Sequence, residues 1–245
     1  NQLYIGLISG TSIDGVDVAL VDMQSGHPKL LDQFTHPYPD TFNHKLHDLC
    51  LPGSNEIVAM GQADQEVALA FADAVNLLLG KNDIQPEQIV AIGSHGQTIR
   101  HHPEVQYPFT LQIGDPNLLA VTTDIDVVAD FRRKDITLGG QGAPLVPAFH
   151  RAVFADHKNR AVINIGGIAN ITWLPKDKNE EVLGFDTGPG NRLMDAWCER
   201  HQQRPYDENG KWAVTGKVSE HLLKELMSHP FIYQDYPKST GREVF

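Results

Sequence analysis

Cysteine is nearly absent. The 245 residues hold only Cys50 and Cys198, far apart and in no metal-ligand spacing. That excludes a disulfide framework and a cysteine zinc site, and it fits two reduced thiols in a cytoplasmic protein. Positive charge is scarce as well: 20 Lys and Arg face 31 Asp and Glu, a formal charge of −11. A nucleic-acid binder needs the opposite balance, so DNA and RNA are poor partners. No run is long and apolar enough to span a bilayer, and no basic stretch leads into an apolar one as in a signal peptide. No membrane partner is expected. No Gly-Lys-Ser or Gly-Lys-Thr follows a glycine-rich turn, which excludes a Walker loop. What remains, 41% hydrophobic and 21% charged, is an ordinary globular composition, enough for one large domain or two smaller ones.

Along the chain, glycine punctuates strands. Tyr4–Ile8 and Val16–Val21 read as strands joined by the turn Ser9-Gly-Thr-Ser-Ile-Asp-Gly15. Residues 27–55 read as irregular with a short helix near Phe42–Leu51. Apolar spacing predicts a helix over 56–79, stopped by Gly80. Ile89–Ile92 reads as a short buried strand entering the polar loop Gly93–Thr98. A strand at Thr110–Ile113, a helix capped by Asp115-Pro116 and a strand at Ile125–Ala129 follow. A second unit begins near residue 135: a helix from Pro144 carrying Val146–Phe154, then Ala161–Trp173 as strand, glycine turn and strand. Val182–Phe185 reads as a strand feeding the loop Asp186–Asn191. A helix with Leu193, Met194 and Trp197 on its inner face and another at Val218–Met227 complete the pattern, and Pro230–Phe245 reads as irregular. Strands alternating with helices argue for mixed α/β sheets, and the repeated hairpin hints at two similar lobes, 1–134 and 135–245.

Five stretches could carry chemistry. In the first turn, small residues let backbone N–H groups approach a phosphate, Thr11 and Ser12 add hydroxyls, and Asp14 and Asp17 could hold Mg²⁺ directly or through water. The same composition suits a plain hairpin. The second turn, Ile165-Gly-Gly-Ile-Ala-Asn170, offers similar backbone chemistry without acids. Asp186, in Asp186-Thr-Gly-Pro-Gly-Asn191, stands at an expected strand tip, where a carboxylate can act as general base or merely cap the next helix. Ser94-His-Gly-Gln97 could hydrogen-bond a sugar or be an ordinary loop. Arg132-Arg133-Lys134 could hold a carboxylate or phosphate, or be a solvated run.

These motifs, in this order, resemble those of the anhydro-N-acetylmuramic acid kinase family. The strings that carry the likeness are Ile5-Gly-Leu-Ile-Ser-Gly-Thr-Ser-Ile-Asp-Gly-Val-Asp17, Ser94-His-Gly-Gln-Thr98, Asp130-Phe-Arg-Arg-Lys-Asp135 with Gly139-Gly-Gln-Gly-Ala-Pro-Leu145, Ile163-Asn-Ile-Gly-Gly-Ile-Ala-Asn170 and Phe185-Asp-Thr-Gly-Pro-Gly-Asn191. The resemblance implies a two-lobed α/β fold of the actin–hexokinase, ribonuclease H-like type, with mixed sheets flanked by helices. It implies ATP and Mg²⁺, a cytoplasmic homodimer, 1,6-anhydro-N-acetylmuramic acid as substrate and its 6-phosphorylated, ring-opened sugar as product. Residue by residue it implies phosphate contacts from Gly10, Thr11, Ser12, Ile13, Asp14, Gly15, Val16 and Asp17, and from Gly166, Gly167 and Asn170. Sugar contacts fall to Ser94, His95, Gln97, Arg132, Gly188 and Asn191, and the base is Asp186. The family continues past Phe245 into a segment holding adenosine, so the chain is expected to be truncated and adenine contacts fall beyond it.

Two other readings compete. One is a kinase of the same fold acting on a different sugar or acid. The other is a non-catalytic ATP or sugar sensor, against which the Asp186 loop argues. ATP consumption with the anhydro sugar and identification of the product separate the three.

Overall fold

The computed structural model describes residues 2–240, 244 and 245. They form two compact units, Asn1–Gly142 and Ala143–Phe245.

In the first unit, β1 (Leu3–Ser9) and β2 (Gly15–Asp22) form an antiparallel hairpin, and β3 (Lys29–Pro37) adds to β2. Helices α1 (Asp40–Leu49) and α2 (Glu56–Asn82) come next. Strand β4 (Ile89–His102) then lies parallel to β1, and β5 (Phe109–Ile113) pairs antiparallel with β4. Helix α3 (Pro116–Thr123), the short β6 (Val127–Val128) and α4 (Arg133–Thr137) follow. The sheet order is β3-β2-β1-β4-β5, with β6 parallel to the start of β4.

Period-two burial drives the sheet: Leu3, Ile5 and Leu7 of β1 and Val16, Val18 and Leu20 of β2 are all buried. Ala63, Val67, Phe71, Val75 and Leu78 recur every three or four residues along α2 and join those strands in one core. Gly80 does not stop α2. The helix runs to Asn82, and Asp83, at φ 52°, closes it by donating its N–H toward Gly80 and Leu79 carbonyls. Asp115 caps α3 as expected, its carboxylate accepting from Asn117 N–H.

Two further expectations are corrected in this unit. Residues 29–37 are a full strand, β3, because pairing with β2 outweighs their scattered His, Asp and Pro. The supposed loop Gly93–Thr98 lies inside β4. Gly6, Leu7 and Ser9 of β1 stand opposite Gly93, Ser94 and Gln97, and β5 takes over the pairing from Gln97 onward. Gly96 makes this possible with φ +76°; a Cβ there would sit 2.5 Å from the Ile113 carbonyl oxygen.

In the second unit, α5 (Pro147–Phe154) starts at Pro147 rather than Pro144. Strands β7 (Arg160–Ile165), β8 (Ile168–Leu174) and β9 (Leu183–Pro189) form an antiparallel sheet in that order. Helices α6 (Arg192–Gln202) and α7 (Glu220–Met227) follow. Leu193, Met194 and Trp197 do not face inward: they are 37%, 61% and 56% exposed, and Cys198 takes the buried position on α6. Asp186, expected at a strand tip, lies within β9. The division between units falls after Gly142, later than residue 134, because Gly139–Gly142 fold back onto α4: Gly140 and Gly142 N–H groups donate to Asp135. The fold class is the expected one, α/β, with a mixed sheet flanked by helices in the first unit; the second unit's sheet is antiparallel throughout rather than mixed. No helix among the described residues is long and apolar enough to cross a membrane.

Candidate functional site

The first turn is anchored from below and open above. Ile13, at φ 58°, drives its side chain into the core, 1% exposed, and its N–H reaches the Gly10 carbonyl at 3.2 Å. A β-branched residue in this region is strained, and such strain persists only where the surroundings hold it. Asn43 Nδ2 donates to the Ile13 carbonyl and Tyr38 N–H to the Asp14 carbonyl at 3.0 Å. Val16 is fully buried, so it and Ile13 can offer a ligand only backbone. Gly15 packs against β3 so closely that a Cβ would stand 2.4 Å from the His36 carbonyl oxygen. Thr11, Ser12, Asp14 and Asp17 are exposed.

Each carboxylate is steadied by a hydroxyl. Ser12 Oγ donates to Asp14 Oδ1 at 2.8 Å, and Thr35 Oγ1 to Asp17 Oδ1 at 2.6 Å. Burial, together with the Asp14 charge, pushes the Tyr38 hydroxyl up to about 12. The described residues contain no cluster of three or more His, Cys, Asp or Glu fit for a metal. Two exposed carboxylates still suit Mg²⁺, which keeps several waters and takes most remaining ligands from phosphate.

Gln97 lies under this turn. It is 1% exposed; Ser9 Oγ donates to its Oε1, and its Nε2 donates to the carbonyls of Gly10 at 3.3 Å and Thr98 at 3.0 Å. It holds the turn rather than facing solvent. Ser94 is buried, and its hydroxyl has no hydrogen-bond partner among the described residues.

His95 and Arg132 come together. Arg132 Nε donates to His95 Nε2 at 2.7 Å and its Nη1 to the Gly142 carbonyl at 2.6 Å. The other ring nitrogen of His95, Nδ1, sits 3.0 Å from the Gly96 carbonyl. Burial, reinforced by the Arg132 charge, holds His95 down to about 4, so its ring is neutral. Arg133 turns outward and pairs with Asp130, and Lys134 is exposed.

In the second unit, the Gly166-Gly167 turn and the segment after β9 are one structure. Gly190 N–H donates to the Gly167 carbonyl at 2.9 Å, Asn191 N–H to Gly166 at 2.7 Å, and Asn191 Nδ2 to Ile165 at 3.2 Å. Gly190 comes so near that a Cβ would lie 2.2 Å from the Gly166 oxygen. Asn170 stands opposite Asp186 in the β8–β9 register, and its buried Oδ1 has no partner among the described residues. Asp186 is 6% exposed and its Oδ2 accepts from Thr240 N–H at 2.9 Å. Gly166, Gly167, Asn170, Asp186, Gly188 and Asn191 thus gather at one end of this sheet. Lys238 and Thr240, also against Asp186, went unread in the sequence; three aromatic residues in an otherwise irregular stretch, Phe231, Tyr233 and Tyr236, were the available signal.

Each of the two compact α/β units carries a glycine-turned hairpin, and the second holds a buried carboxylate among glycines. The chain belongs to the anhydro-N-acetylmuramic acid kinase family, whose sequence model matches residues 2–245. An anhydro-N-acetylmuramic acid kinase from Shewanella putrefaciens (strain CN-32) is 57% identical over 246 residues, covering 100% of this chain and 66% of the relative. One from Shewanella sp. (strain ANA-3) is 58% identical over 243 residues, covering 99% and 66%. The chain therefore spans just under two thirds of the length of these relatives. Among solved structures, a reductive activator for a corrinoid, iron–sulfur protein aligns over 77% of this chain and 32% of its own, at 18% identity and a TM-score of 0.44.

Proposed function

We propose that this chain carries the phosphate-binding, sugar-binding and water-activating groups of an ATP-dependent kinase that opens 1,6-anhydro-N-acetylmuramic acid and phosphorylates its O6. The observation that carries the reading is Asp186, buried in β9 opposite Asn170 and beside the Gly166-Gly167 turn, in a chain of this family.

In ordinary glycoside hydrolysis a second carboxyl group protonates the leaving oxygen. In the anhydro sugar that oxygen is O6. Water attacks C1 as the C1–O6 bond breaks, and Asp186 takes the water's proton. The electron pair released on O6 forms the bond to the γ-phosphorus of ATP, and ADP leaves with the electrons of the broken P–O bond. Phosphoryl transfer thereby replaces protonation, and one carboxylate suffices. In the first unit the turn's backbone would contact phosphate oxygens, and Asp14 and Asp17 would hold Mg²⁺ directly or through water; in the second unit the Gly166-Gly167 turn would contact phosphate oxygens in its own right. When bound, the ion offsets charge on those oxygens. His95 and Arg132 face the sugar, with Arg132 on its lactyl carboxylate.

The test is Asp186→Asn in the full-length protein. Turnover should fall by about 10²–10⁴-fold with sugar affinity, read by calorimetry, nearly unchanged. Near-normal turnover would sink the assignment.

A further inference from the structure

Asp186 is held from the side that faces residues 231–240, a stretch with no regular secondary structure beyond one short turn. Its sequence explains the grip. Pro230 opens a 3-10 turn, Pro230–Tyr233, capped by His229 Nδ1, which accepts from Phe231 N–H at 3.3 Å. Phe231 is 3% exposed and anchors the turn. The chain then returns along β9. The Tyr236 ring stacks on Phe185, the residue before Asp186, with centroids 5.1 Å apart and planes at 14°. The Lys238 carbonyl accepts from Asp186 N–H at 2.9 Å, and two residues later Thr240 N–H donates to Asp186 Oδ2 at 2.9 Å. One strap therefore grips the backbone and the carboxylate of the same residue.

Lys238 holds the strap down. It is 7% exposed, an unusual place for lysine, which is almost never buried without partners. Its Nζ donates to the carbonyls of Phe231 at 2.8 Å and Ile232 at 3.0 Å and lies 4.7 Å from the Phe231 ring centre. Burying that group is costly, and an apolar side chain of the same length would fill the space more cheaply. What the lysine adds is geometry: it ties the strap's return to its own starting turn, fixing where the Thr240 N–H points.

We infer that Lys238–Thr240 is a positioning strap for Asp186, with the Thr240 N–H setting the carboxylate's orientation and Lys238 holding that donor in place. The inference rests on the reading of Asp186 as the base, and goes beyond it. A base must lie within hydrogen-bond reach of the proton it takes. A carboxylate tied to a fixed backbone donor keeps a defined orientation, whereas an untied one samples rotamers that miss the water.

The test uses the full-length protein with Thr240→Pro, which removes the donor, Lys238→Met, which removes the clamp, Thr240→Val, which keeps the N–H, and Asp186→Asn. Thr240→Pro and Lys238→Met should each lower kcat by about 10- to 100-fold, as expected for one hydrogen bond to a charged group, with the KM for sugar within about 3-fold of wild type. Thr240→Val should rescue most of the loss seen with proline. A purely structural strap would not give the decisive signature. In the double variants Asp186→Asn with Thr240→Pro, or with Lys238→Met, turnover should fall no further than in Asp186→Asn alone, because groups acting as a unit are not additive. If Thr240→Pro shows no cooperative thermal transition, Lys238→Met and its double variant decide. Unchanged kcat in the strap variants, or additive losses in the doubles, beside an inactive Asp186→Asn would overturn the strap and leave the base assignment standing. An active Asp186→Asn would overturn both.

Discussion

At the scale of single residues, His95 and Arg132 convert a sequence ambiguity into chemistry. The sequence favours Arg132 over Arg133 only narrowly and leaves Lys134 to solvent, and tertiary contacts separate the two arginines: Arg132 turns in to His95, Arg133 turns out to Asp130. Arg132→Ala should therefore erase the preference for a sugar bearing the lactyl carboxylate over its analogue without it, by about 10- to 100-fold, and Arg133→Ala should leave it intact. Competition assays with the two sugars check this; equal effects of both substitutions would refute it. His95 makes a second, pH-dependent prediction. Its ordinary value is 6.5, and burial with the Arg132 charge holds it down to about 4 in the folded protein. Between those values the unfolded chain binds a proton that the folded chain does not. The stability that depends on neutral His95 is present above pH 6.5 and is lost as pH falls toward 4, on the order of 3 kcal/mol in all. Urea denaturation from pH 7 to 4 should show a shallower decline in His95→Gln than in wild type. Parallel curves would mean that His95 does not titrate apart from the unfolded state.

At the scale of elements, the two hairpin glycines of the first turn can be told apart. A Cβ on Gly10 would meet only Ser12 Oγ, at 3.9 Å, whereas one on Gly15 would strike the His36 oxygen at 2.4 Å and Pro37 Cα at 2.9 Å. Gly10→Val should fold with near-native stability yet bind ATP weakly, because its side chain fills the space a phosphate would use. Gly15→Ala should cost about 1–3 kcal/mol by forcing β2 from β3. Thermal melts paired with nucleotide calorimetry separate the effects, and unchanged ATP affinity in Gly10→Val would make this turn purely structural. Both hairpins were legible in the sequence because alternating apolar residues flank short glycine-bearing turns. Elements that glycine or polar residues interrupt were not. Gly93 and Gly96 look like breakers, yet pairing with β1 and β5 carries β4 straight through them. Gly184 and Gly188 made Asp186 look like a loop residue, although β8 holds it within β9. Gln97 read as part of an open polar loop, but burial turns it beneath Gly10. In each case the deciding neighbour is distant in sequence, and no local pattern encodes it.

At the scale of the whole chain, stability should be unevenly spread, and the cause is where apolar surface goes. The first unit closes one core from Leu3 to Ile125 in which α2 covers the sheet, and Phe71, Ile92 and Leu119 are fully buried. The second unit buries far less. Ile163 and Ile165 of β7 are 64% and 62% exposed, and α7 has no buried residue. Hydrophobic burial contributes about 25 cal/mol per Å² of apolar surface, so the energy that resists local opening is concentrated in the first unit. Amide hydrogen exchange on this 245-residue chain, read by mass spectrometry, should rank β1, β2 and β4 as slowest and β7 and α7 as fastest, with β9 between them because the Lys238–Thr240 strap covers Asp186. Phe71→Ala sharpens the test. Truncating a buried phenylalanine costs about 3–5 kcal/mol, a large share of a typical domain's stability, so exchange in β1, β2 and β4 should accelerate by two orders of magnitude or more, on the order of that free energy. Protection in β7 equal to that in β1, or a Phe71→Ala chain whose first-unit amides exchange as slowly as before, would show that the burial pattern does not govern where this molecule opens.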